Sequence, residues 1–524
     1  MVEHDFLVLF AMLLYFIVVL TIGFVYAKRS NSSTSEYFLG GRGVGPWLTA
    51  LSAEASDMSG WLLMGLPGVA YFTGASEAVW TGVGIALGTY LNWKLVAKRL
   101  RVYSELTESI TLPDFYSKRY GDTKNIISTV AALIIVLFFS IYVGSCFVTV
   151  GKLFATLFGL NYAAMMVLGA IIVFLYTLVG GYLSVVVTDF VQGILMFFAL
   201  AMVVCGSIIW AGGFNETLAF LQAIPGFLSI TEHAKPVLDA TGYQVAFDQL
   251  PAFAAPAPFS ALTALSLLAW GLGYFGMPQV LVRFMSARHV SDIKKSRIIA
   301  VLWCVISMAS AILIGLISRV ILPTYFGTQS QAENAFIVLA QMMLPSFMCG
   351  VVVSGIFAAS MSSSSSYLLI AGSSVAENLY RGMLRRHASD REVLIVARFT
   401  LIVVFMFGIL VAYDEHSSIF AVVSHAWAGL GASFGPLTLL ALYWKRSTKQ
   451  GALAGMLAAT VFVIFWVQVL APLGGIFGIY ELLPAFCVGT LVHVIVSLCT
   501  SNAHADAQQS LELFDAYQTK LAEK

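Results

Sequence analysis

The sequence predicts an all-α polytopic membrane protein of about thirteen transmembrane helices, with two inverted five-helix repeats at its centre. Three observations predict it. Apolar runs of the roughly 18 residues needed to cross a bilayer recur along the chain. Hydrophobic residues make up 59% of the 524 and charged residues only 10%, against about 25% charged in soluble domains. The two spans most interrupted by glycine, proline and polar residues stand five apart, the offset that an inverted repeat requires.

Taken in order, the spans are expected at 6–27, 46–69, 77–96, 126–147, 163–181, 189–210, 259–285, 298–322, 347–371, 393–411, 420–443, 451–470 and 480–498. The first has too long an apolar core for a cleaved signal. It follows Glu3 and Asp5 and precedes Lys28 and Arg29, an arrangement that keeps the N-terminus outside. The basic residues then gather in alternate loops: at 28–42, at 94–124, in the stretch Arg283 to Arg297, at 381–391 and at 445–449. Together these hold 22 of the 28 lysines and arginines. That bias sets the C-terminus in the cytoplasm. Residues 1–500 form one transmembrane domain, with the first repeat at 46–211 and the second at 259–443. The outer loop from Gly212 to Pro258 is expected to hold short helices. The tail at 501–524, with Leu511, Phe514 and Leu521 in helical register, is expected to be a cytoplasmic surface helix.

Several functions are excluded by what this composition lacks. The net charge of +1 leaves no basic groove for nucleic acid, because the basic residues are used for orientation. Six cysteines lie in or at the ends of spans without metal-ligand spacing, so neither disulfide nor zinc is indicated. There is no phosphate-binding loop for a pump and no histidine pairing for haem, so no enzyme, no cofactor and no obligatory protein partner is expected. The partners expected are the bilayer, a small solute and an ion. A channel or a transporter-like sensor stays as an alternative, although the tail is too short for a signalling domain.

Candidate chemistry begins at Asp57. A carboxylate at membrane depth is costly and marks ion handling, and here it lies in Ala55-Ser56-Asp57-Met58-Ser59-Gly60-Trp61, with Gly65 and Pro67 just beyond. The helix is weakened where the charge lies. Span 7 is interrupted by Gly271 to Pro278, and paired broken spans point to a central binding site; glycines that only allow close helix packing are the plain alternative. Span 9 carries Ser362 to Ser366, whose hydroxyls suit a hard cation such as sodium. Back-bonding to the i−4 carbonyl is the plain reading of any one of these serines, and chemistry alone does not separate Ser362 and Ser363 from their neighbours.

Tyr37 to Arg42, Leu51 to Ala53, Ser56 to Gly68, Asn92 to Val96, Gly180-Gly181-Tyr182, Thr188-Asp189, Trp270 to Gly276 and Ala426 to Gly429 together resemble the sodium/solute symporter family. They resemble specifically its members that carry proline. The resemblance implies a leucine-transporter-like fold and sodium-driven import of L-proline across a bacterial inner membrane, with another amino acid, pantothenate, sialic acid or a sugar as alternative solutes. It implies sodium ligands at Ala55, Met58, Ala359, Ser362 and Ser363. Asp57 and Arg42 would support sodium affinity and coupling, and Asp189 would lie on the inward sodium path. Trp61, Tyr142, Trp270, Tyr274 and Pro278 would meet the substrate. Ser363 stands where threonine is frequent, which keeps the hydroxyl. Met277 stands where glutamine is typical, which removes a polar group beside the substrate. Aromatic faces and the freed N–H groups of a broken helix suit a small zwitterion with an apolar ring.

Overall fold

The computed structural model describes residues 2–30, 33–248, 250–500 and 505–523, and every one of the thirteen expected segments is helical in it. Among the described residues nine helices are long and apolar enough to cross a membrane, and the bent pair Ala261–Gly276 with Pro278–Ser286 makes ten. The expected count of thirteen is not reached by that measure. Span 2 is cut into Pro46–Asp57 and a shorter apolar helix, Trp61–Thr73. Span 3, Ala75–Asn92, dilutes its apolar residues with Gly, Thr, Ser and Glu77, and span 5 is only Tyr162–Val179. Helices dominate because backbone polar groups in a bilayer must be satisfied within their own segment.

The two exceptions are the broken spans, and local sequence accounts for both. Span 2 starts with Pro46 at its first turn, where the missing N–H costs nothing. It leaves helical geometry at Met58 (φ −83°, ψ 78°) and resumes as a π-helical turn, Trp61–Gly65. A Cβ on Gly60 would lie 2.1 Å from Thr149 Oγ1, so glycine lets span 4 press against the break. Span 7 runs through Ala261–Leu268 and Trp270–Gly273 into a 3₁₀ turn at Tyr274–Gly276. It then turns at the extended Met277, and Pro278 opens the second half-helix with a 45° bend. Its glycines serve packing as well: a Cβ on Gly271 would meet the Gly84 carbonyl at 2.3 Å, and one on Gly273 the Trp427 indole at 2.0 Å. These glycines therefore lie at a break in the helix and also at close helix contacts. The start of span 2 and the end of span 7 are joined, Val44 N–H to the Ser286 carbonyl at 3.2 Å and Arg288 N–H to the Val44 carbonyl at 2.8 Å.

Two peripheral expectations change. Among its described residues the loop from Gly212 to Pro258 holds one helix, Phe214–Ala223, but also an antiparallel ribbon pairing Glu232–Pro236 with Phe253–Pro258. Pro256 and Pro258 lack N–H groups, which defeats a helix there but suits the edge of a ribbon. The tail helix, Ala505–Glu523, is docked rather than lying free, with Phe514 and Tyr517 buried. Residues 501–504 and 524 of the tail lie outside the described residues.

Candidate functional site

The break in span 2 gathers the groups singled out from the sequence. Once the helix ends at Asp57, its carbonyl is shared by the Ser59 amide at 3.1 Å and the Trp61 indole N–H at 3.2 Å, with the Tyr142 hydroxyl at 3.5 Å. The Asp57 carboxylate reaches across to span 7. It accepts from the Tyr274 hydroxyl at 2.7 Å and from the Gln279 amide at 3.1 Å. One acidic side chain thus bridges both broken helices.

Span 9 lies against the same break, and its serines separate by position. Ser362 donates to the Ala55 carbonyl at 2.7 Å and lies 3.1 Å from the Ala359 carbonyl, while the Ser363 hydroxyl is 3.5 Å from Ala55. Ser364 bonds back to Ser360, and Ser365 to Ser362 at 3.1 Å. Ser366 accepts from Arg283 at 2.6 Å. Two hydroxyls and two carbonyls from separate helices therefore converge at Ala55, three residues before the helix is capped at Met58. That is a set of neutral oxygens suited to a small hard cation.

An aromatic box adjoins this point. Trp61 and Trp270 stand 5.9 Å apart, and Trp270 also meets Phe420 at 5.3 Å and stacks on Tyr480 at 5.0 Å. Tyr274 meets Trp427 edge-on at 5.1 Å, and the Trp427 indole donates to the Trp270 carbonyl at 2.9 Å. Tyr142 packs on Tyr367 at 4.4 Å. Trp61, Tyr142, Trp270, Tyr274, Pro278 and Asp57 are all buried.

Two expected residues lie away from this centre. Asp189 pairs with Arg283 at 2.9 Å and accepts from Ser52 at 2.7 Å. Arg283 also donates to Ser52 at 3.0 Å and to the Gln279 carbonyl at 3.0 Å, so one guanidinium joins spans 2, 6, 7 and 9. Arg42, in the left-handed region (φ 56°), donates to the carbonyls of Met285, Ser104 and Ser109, each at 2.8 Å, and to the Ser104 hydroxyl at 3.1 Å. Burial and the neighbouring Arg101 pull its guanidinium down to about 10, still cationic at neutral pH. It staples the C-terminal end of span 7 to the connection between spans 3 and 4.

The model of the sodium:solute symporter family matches residues 37–459, which include every one of these residues except Tyr480. The chain belongs to the sodium:solute symporter family. As a member of that family it is a sodium-coupled transporter and not an enzyme. It is 39% identical to the sodium/proline symporter of Staphylococcus aureus (strain NCTC 8325 / PS 47) over 504 residues, covering 95% of this chain and 93% of the relative. The strain COL protein of the same name matches equally. Among solved structures, the substrate-bound outward-open state of a Na+-coupled sialic acid symporter superposes with a TM-score of 0.75 at 20% identity, covering 95% of this chain and 98% of that one. A closed nucleobase-cation-symport-1 family transporter gives 0.55 at 12% identity, over 92% and 99%. At such identities these two likenesses establish the fold, which is the leucine-transporter-like one expected.

Within this symporter the sequence reading missed Arg283 and Gln279. Arg283 was counted with the cytoplasmic loop residues, yet it is buried and paired; the signal was its place inside the apolar segment 259–285. Gln279 supplies, two positions along, a polar group of the kind that Met277 lacks, and aims it at Asp57.

Proposed function

We propose that this symporter imports L-proline with sodium across a bacterial inner membrane, its N-terminus outside and its C-terminus inside. The observation that carries the reading is the Ser362 hydroxyl, 2.7 Å from the Ala55 carbonyl at the break of span 2 and beside an indole-lined box. Sodium would be held by the Ala55, Met58 and Ala359 carbonyls and the Ser362 and Ser363 hydroxyls. To admit it, Ser362 must turn its hydroxyl hydrogen away from Ala55 and offer a lone pair. Proline would sit among Trp61, Tyr142, Trp270, Tyr274 and Pro278, its ring against the indoles and its carboxylate toward the freed amides of the broken helix. The sodium/proline symporter relatives support this substrate. Repeats at 46–211 and 259–443 would move against each other about these two breaks.

Coupling follows from Asp57. Its carboxylate fixes the second break through Tyr274 and Gln279, while its own backbone forms the first. An ion that orders the first break therefore presets the second for substrate, and each ligand must tighten the other by the same factor. Uptake into proteoliposomes across a panel of amino acids, with and without an inward sodium gradient, tests this. L-proline should accumulate only with the gradient. Accumulation of another solute in its place, or uptake indifferent to sodium, would overturn the assignment.

A further inference from the structure

The tail helix Ala505–Glu523 makes contacts that the transport chemistry does not use. Tyr517 is fully buried and lies flat on Tyr103, with ring centroids 4.1 Å apart and planes 4° from parallel. Its hydroxyl accepts from Arg99 at 3.3 Å and lies 3.4 Å from the Leu442 carbonyl. Arg119 forms a second anchor. Its guanidinium donates to Ser510 at 2.6 Å, covers the Phe514 ring at 4.8 Å and donates to the Ala441 carbonyl at 2.9 Å. Lys445 pairs with Asp515 at 2.7 Å. The helix thus ties the connection between spans 3 and 4 in the first repeat to the end of span 11 in the second.

The helix Lys98–Leu106, which carries Arg99 and Tyr103, is also the anchor of the Arg42 staple through Ser104. Its Arg101 donates to the Ala287 carbonyl at 2.6 Å, beyond the end of span 7. The inner ends of both broken spans are therefore held to one short helix, and the tail backs that helix. Spans 2 and 7 cannot part on this side while it stays in place.

We infer that the tail helix is an intramolecular strap that holds the inner gate shut, so that its undocking sets how readily the symporter opens inward. The inference rests on the proposed orientation with the C-terminus inside. The stacked pair and the buried Phe514 are the grip, since aromatic pairs contribute beyond their buried area. Tyr517→Ala in the full chain should undock the helix, and Tyr517→Phe, which keeps the stacking, should not. Hydrogen–deuterium exchange in potassium buffer reads the gate directly, because the amides of Val44 and Arg288 close it. In Tyr517→Ala, exchange at 42–46 and 284–290 should rise roughly two- to tenfold, the scale of one lost aromatic pair, and the sodium midpoint for uptake should rise with it. Faster exchange at 505–523 with 42–46 and 284–290 unchanged would overturn the strap, as would equal exchange in the Ala and Phe variants. Failure of the wild type to carry proline would count against the substrate assignment alone, since the exchange measurement needs no substrate.

Discussion

Replacing Ser362 by alanine removes one hydroxyl from the point where spans 2 and 9 meet, and the structure fixes how the loss divides between the two states. Without the ion, the hydroxyl donates to Ala55 at 2.7 Å, a neutral hydrogen bond with a net contribution of about 0.5–1.5 kcal/mol. With sodium bound, the same oxygen would face a full charge, a contact of about 1.5–3 kcal/mol by analogy with hydrogen bonds to charged groups. The difference, about 1–2 kcal/mol, is what alanine takes from sodium binding, or roughly five- to thirtyfold in affinity. Ser365→Ala is the control, because its hydroxyl only bonds back to Ser362 and its loss alters the ion by little. Sodium activation of proline uptake in proteoliposomes, measured for both variants at matched protein content, gives the comparison. A Ser362→Ala midpoint within twofold of wild type, or equal shifts in the two variants, refutes the reasoning.

Asp57→Asn should raise the sodium midpoint by at least about tenfold with insertion intact, since it keeps the shape of the bridge to Tyr274 and Gln279 but not its charge; equal sodium dependence in flux assays would contradict it. Arg283→Gln should cost about 3–5 kcal/mol of stability by leaving Asp189 charged and buried without its partner, and adding Asp189→Asn should restore part of it in thermal-shift measurements. Ser366→Ala should lower transport more than Ser365→Ala, because Ser366 is the serine that holds Arg283; initial uptake rates decide. Gly60→Ala should destabilise the protein by about 1–3 kcal/mol, because its Cβ would lie 2.1 Å from Thr149 Oγ1; an unchanged midpoint of thermal unfolding would show that span 4 can yield.

What the sequence could and could not disclose follows from the length scale of each signal. Asp57, the serine run and the glycine-proline interruptions are each local anomalies in apolar surroundings, so they stand out without a partner being known. The broken spans were legible for this reason, and so was their relation five spans apart. Which serine faces the break was not legible, because five consecutive serines sample every face of a helix and only the neighbour decides. Span 2 is that neighbour, and it selects Ser362 and Ser363 while leaving Ser364 and Ser365 to bond within their own helix.

Arg283 shows the opposite failure. Charge counting assigns basic residues to loops because most of them lie there, and a lone arginine near a span end fits that pattern without strain. Its real partner, Asp189, is 94 positions away, and neither residue advertises the other. A charge at membrane depth is tolerable only when paired, so two unexplained charges within apolar segments imply each other. Asp57 is the exception that proves informative. Its carboxylate has hydroxyl and amide donors but forms no ion pair among the described residues, although a paired arginine would have been the cheaper way to bury it. A positive charge held permanently there would repel sodium from the break, whereas neutral donors hold the carboxylate in place and, in the proposed scheme, would leave its charge to favour the ion. Two of the buried carboxylates thus differ in kind: Asp189 is neutralised by Arg283, which joins four spans, whereas Asp57, in the proposed scheme, would be left for the cation that drives transport.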